Sequence, residues 1–134
     1  TANCAGPCHN TELQTMPVAR NNGLDLVYTD NGVGKITGRT IDNGKFKSPS
    51  LRNVMLTAPY MHDGRFQTIE QVLEHYSTSI KNHPNLDNRL KDPATGVARP
   101  LNLTQQQKNA IVAFLNTLTD TKFTTDIKYS DPFK

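Results

Sequence analysis

The chain has 134 residues, one domain's worth, with 35% hydrophobic and 7% aromatic residues and no tryptophan, a thin core for this length. A chain this polar could use a large apolar ligand to complete its interior. The net charge of +3 is mild and its Lys and Arg are interleaved with acids, which excludes a nucleic-acid stripe or basic tail, and no apolar run approaches the roughly 18 residues of a membrane span.

The chain opens on "TANCAGPCHN", which places Cys4, Cys8 and His9 together, and there is no other cysteine. Thr1 lies only three residues before Cys4, an abrupt start that leads us to expect processing or truncation upstream. The first third reads as irregular. Asn22-Gly23, Asn31-Gly32 and Asn43-Gly44 are turn signals, and between them only short pieces such as Leu24 to Thr29 are candidates for extended chain. Ser48-Pro49-Ser50-Leu51-Arg52-Asn53 leads into an apolar stretch ending at Ala58-Pro59, where a short helix or turn is predicted.

Two helices are clear. Thr68 is a good N-cap and Gln71 completes a capping box; Ile69, Val72, Leu73 and Tyr76 then make one apolar face. Thr104 and Gln107 repeat the box, and Ile111, Phe114, Leu115 and Leu118 repeat the face. Between them, His83-Pro84-Asn85 and Lys91 to Gly96 read as loop. The tail after Thr119 is predicted to run extended over the surface. Met16 and Met55 are read as core fillers.

Cys4, Cys8 and His9 admit four chemistries. A disulfide would close a loop too short to gain much entropy and leaves His9 unexplained. A structural zinc wants four ligands, and no second Cys/His pair is present. A thioredoxin-like redox pair needs C-x-x-C in a βαβ setting, which is absent. Covalent haem needs two thiols for thioether bonds and a His directly after the second, and Cys8-His9 meets that requirement. The usual spacing is C-x-x-C-H; here Ala5, Gly6 and Pro7 separate the cysteines. These residues favour haem, with the disulfide and zinc readings still open on the residues alone.

The stretch "GKFKSPSLRNVMLTAPYMHDGRFQTIEQVLEHY", Gly44 to Tyr76, closely resembles the C-terminal haem domain of the bacterial dihaem cytochrome c peroxidase and MauG-like family. "NHPNLD" (Asn82 to Asp87), Leu103-Thr104 and "FLNTLTD" (Phe114 to Asp120) extend the resemblance over nearly the whole chain. It implies a mainly α, cytochrome c-like domain over residues 1–134, with long irregular loops wrapped around one covalent haem c. The chain departs from the family in its extra residue before Cys8. We also expect it to lack the family's N-terminal haem domain and the helix ahead of the attachment motif.

The resemblance assigns thioether bonds to Cys4 and Cys8 and the proximal iron position to His9. Opposite it the family offers Met, or Tyr in MauG-like members, and counting from Pro59 and Gly64 brings Tyr76 to that place. A core tyrosine bonded elsewhere is the competing reading; Met61 and then His75 are the next ligand candidates. Pro59 and His62 belong to the family's Pro-Tyr-x-His-Asp-Gly loop, with His62 near the haem edge and the domain interface. Arg52 is a candidate partner for a haem propionate, against the alternative of a solvated surface arginine. A calcium ion between the family's two domains is held partly by backbone carbonyls, here those of Thr57 and Pro59.

Two functions follow from the resemblance. In the first, the chain is the electron-transfer domain of a dihaem peroxidase-like protein, relaying electrons between a small carrier protein and a second haem domain or subunit that handles peroxide. In the second, it is a stand-alone monohaem cytochrome without catalysis of its own. Thioether attachment places either one in the periplasm or outside the cell.

Overall fold

The computed structural model describes residues 19–131 and residue 133; Cys4, Cys8, His9 and Met16 lie outside them. Among the described residues there are four α-helices: α1 (Val33–Thr37), α2 (Ile69–Glu74), α3 (Gln105–Asn116) and α4 (Thr121–Thr125). Single 3-10 turns lie at Thr40–Asp42, Val54–Leu56, Asn88–Leu90 and Ile127–Tyr129, and α2 runs on into a π-turn over His75–Ser79. Among the described residues there is no sheet. Isolated bridges pair Arg20 with Phe46, Gly32 with Lys45, Tyr60 with Phe66, and Lys91 with Ala98. The mainly helical class with long irregular loops therefore holds.

Both predicted capping boxes form. Thr68 accepts from the Gln71 amide and the Gln71 side chain accepts from Thr68, at 3.3 and 3.2 Å. Thr104 and Gln107 do the same at the start of α3, at 3.3 and 2.9 Å. These bonds satisfy amides that a helix start leaves without partners. The helices meet at a core of Ile69, Leu73 and Leu115, against which Val54, Met55, Tyr60, Ile111 and Leu118 pack. Met55 is thus a core filler, as read.

Asn21, only 1% exposed, organises a second buried region. Its Oδ1 accepts from the Gly23 amide and the Tyr28 hydroxyl, and its carbonyl accepts from the Asp87 amide. Gly44 lets the chain pass close by. A Cβ there would lie 2.5 Å from the Tyr28 ring, and its φ of +72° suits glycine.

Several expectations are corrected. Leu24 to Thr29 forms bends rather than a strand, with Leu26 and Val27 exposed. The predicted irregular stretch contains α1, held by the Val33 amide on the Lys45 carbonyl and closed by Gly38 in the left-handed region. It buries no apolar stripe, so it leaves no period in the sequence; Ile36 is 87% exposed. Phe114 faces solvent, because the α2 contact is made by Ile111 and Leu115. The tail is not extended. Asp120 and Asp126 cap α4 and the last 3-10 turn by accepting from the Phe123 and Lys128 amides.

Candidate functional site

The face of α2 predicted to point inward does so, onto a cavity of about 550 Å³. Ile69, Val72, Leu73 and Tyr76 form one wall; Leu115 of α3, Val54 and Tyr60 close it. The Phe46, Met61 and His62 side chains form another side. At one end the lining turns polar, with Arg20, Lys47, Asp87 and Arg89. The arrangement suits a large, mainly apolar ligand with an anionic edge. A groove of about 450 Å³ between α2 and α3, edged by the charged side chains of Glu70, Glu74 and Lys108, shares none of these residues.

Tyr76 stands on the π-turn. Its carbonyl accepts from the Leu101 amide and that of Ser77 from Asn102, while the Ser77 hydroxyl accepts from Leu103. The turn thereby fixes the backbone beneath the cavity-facing ring to the segment that leads into α3. Wide turns of this kind recur at functional sites. Burial pushes the Tyr76 hydroxyl above its ordinary range, and the side chain of Asn22 works against that shift.

Met61 also lines the cavity, and its sulfur accepts from Asn22 Nδ2 at 3.3 Å. Its φ is +72°, uncommon for a side chain of this type. His75 is 3% exposed but takes no part in the cavity wall. Its Nε2 lies 3.0 Å from the Asn22 carbonyl oxygen, and burial, partly offset by that carbonyl, pushes its pKa down. Tyr76 and Met61 are therefore brought to one cavity, both beside Asn22, and His75 is turned behind them.

His62 lines the cavity and stacks on Phe46, ring centroids 3.8 Å apart. Pro59 and Thr57 are exposed and lie off the wall, and the Thr57 hydroxyl donates to the Val54 carbonyl. Arg52 also lies off the wall. It pairs with Asp120 and its guanidinium sits 5.1 Å over the Phe123 ring. Among the described residues no group of three or more His, Cys, Asp or Glu is placed to hold a metal ion.

Sequence reasoning missed the polar end. Asp87, with its side chain 5% exposed, accepts from the Arg89 backbone amide and from Arg89 Nε and Nη2, at 2.9, 3.1 and 3.0 Å. Burial works to raise the Asp87 pKa, but the bonds from Arg89, with the charge of Arg20 behind them, hold it below the ordinary 3.8. The acid-x-base spacing of Asp87 and Arg89 was visible in the sequence; the approach of Arg20 was not.

No family model matches the chain. It is 34% identical over 119 residues to the methylamine utilization protein MauG of Methylorubrum extorquens, across 87% of this chain and 31% of that protein. It is 37% identical over 93 residues to the cytochrome-c peroxidase IdrP1 of Denitromonas iodatirespirans, across 69% of this chain and 23% of that one. A solved MauG-like protein associated with microbial copper homeostasis superposes with a TM-score of 0.68 at 40% identity, over 88% of this chain and 40% of the other. Over most of its length the chain is homologous to the MauG and cytochrome c peroxidase family.

It spans about a third or less of the length of these curated relatives. Among the described residues, no helix is long and apolar enough to cross a membrane.

Proposed function

We propose that the chain is the c-type haem electron-transfer domain of a dihaem MauG or peroxidase-like protein, passing electrons to or from a second haem that handles peroxide. The cavity carries this reading. Its apolar walls include an inward-facing tyrosine and its polar lining is mainly cationic, which matches a macrocycle with carboxylate substituents. Cys4 and Cys8 would hold the group covalently, and His9 and Tyr76 would be ligands to its iron. When bound, haem supplies one-electron redox chemistry.

The residues of the chain supply the surroundings. Ile69, Val72, Leu73 and Leu115 line the cavity and would keep water from the bound group. Asn22 holds Met61 and lies against the Tyr76 hydroxyl. Phenolate is a hard anionic donor, so Tyr76 on the iron would favour the ferric state and a low potential. The carbonyls of Thr57 and Pro59, both on exposed residues, are our candidates for a calcium shared with a neighbouring domain. Covalent attachment places the protein in the periplasm or outside the cell, where a small electron carrier would meet it.

The test is production of the chain in a host that matures c-type cytochromes. A haem-stained band on a denaturing gel is the expected result. A colourless, haem-free product overturns the reading.

A further inference from the structure

Three cations, Arg20, Lys47 and Arg89, line the polar end of the cavity, against one acid, Asp87. That acid is taken by Arg89, which gives it two side-chain hydrogen bonds and one from its backbone. Arg20 approaches the same carboxylate only to 3.4 Å, without hydrogen-bond geometry. Its Nε is buried and has no hydrogen-bond partner among the described residues. A buried donor without a partner is costly, and a guanidinium is the residue of choice for a carboxylate. The Arg20 backbone is also fixed within the cavity lining, since it exchanges two hydrogen bonds with Phe46, each of 2.9 Å.

We propose that Arg20 is the residue that binds a haem propionate, with the Asp87–Arg89 pair as the support that orients it. This rests on the haem reading above. It moves the propionate contact from Arg52, which is engaged by Asp120 outside the cavity, to Arg20. Lys47 is exposed and is a compact point charge without the planar fork. Arg89 is needed to neutralise Asp87. Arg20 therefore acts as a positioning residue for the cofactor, setting its tilt in the cavity and adding positive charge near it.

The test uses holoprotein carrying Arg20→Gln or Arg20→Lys, made in a host that matures c-type cytochromes. The readouts are the propionate-bending band in resonance Raman spectra and the reduction potential. Arg20→Gln should shift the band and lower the potential, because loss of a nearby cation favours the ferric state. Arg20→Lys should shift the band while keeping most of the potential, and it serves alone if the Gln variant does not fold. Arg52→Gln should move neither. An unchanged band and potential in a folded, haem-loaded Arg20 variant overturns the proposal. Failure of the unsubstituted chain to take up haem overturns the haem reading itself, so the two failures are distinct.

Discussion

Asn22 and Met61 are joined by a hydrogen bond from a side-chain amide to a thioether sulfur, 3.3 Å long. The same Asn22 receives the buried His75 ring on its backbone carbonyl. One residue thus restrains a cavity-lining side chain from one direction and a histidine behind the wall from the other. Asn22→Ala removes only the side-chain half, which includes its contact with the Tyr76 hydroxyl. Sulfur is a weak acceptor, so a loss of about 0.5–1.5 kcal/mol is expected, and a denaturant titration measures it.

Tyr76→Phe keeps the ring against Ile69, Val72 and Leu73 and removes only the hydroxyl. If Tyr76 holds the iron, the variant should stay folded, bind added small ligands and show an altered ferric spectrum. Tyr76→Met should raise the potential as thioether replaces phenolate. Unaltered ferric spectra and ligand binding in Tyr76→Phe would leave Tyr76 as a core residue and make Met61 the next donor to replace.

The Cys4→Ala/Cys8→Ala chain, without covalent haem, should be largely unfolded. Its core is small, and the cavity walls would lack contact atoms on one side. Circular dichroism and thermal melting decide this; native helicity with an unchanged melting temperature would contradict it.

The 134-residue holoprotein should turn over hydrogen peroxide poorly or not at all. Peroxide cleavage needs an open iron position and groups that move protons beside it. A ligand from Tyr76 would close that position. Steady-state assays with an electron donor check this, and turnover at rates typical of enzymes would overturn the relay reading.

Asp87 predicts an acid limb to stability. Its carboxyl sits lower in the folded chain than its ordinary 3.8, so below that value the unfolded chain binds the extra proton. The contribution is full above about pH 4 and is lost as pH falls through the folded value. Arg89 and Arg20 face it and both work to keep it ionised. Asp87→Asn should lower stability at neutral pH and flatten the acid limb, read as melting temperature against pH.

The two best-formed helices were legible because cap and apolar face agree at both Thr68 and Thr104. The cavity wall was legible for the same reason, since Tyr76 completes the period begun at Ile69. Features held by pairing between distant segments were not. α1 depends on the Lys45 carbonyl, and Arg20 reaches Asp87 only once the loops have closed. The pairing of Arg52 with Asp120 was not legible, because a guanidinium near a family motif carries no sign of which acid elsewhere in the chain will reach it.

The π-turn has a consequence for exchange with solvent. Amides of Leu101, Asn102 and Leu103 close on Tyr76 and Ser77. Their deuterium uptake should therefore follow opening of the turn beneath the Tyr76 ring rather than unravelling of α3. Three backbone protons outside the cavity wall become reporters of how firmly Tyr76 is held. Slower uptake in the unsubstituted holoprotein than in Tyr76→Phe holoprotein would record the clamping of that turn.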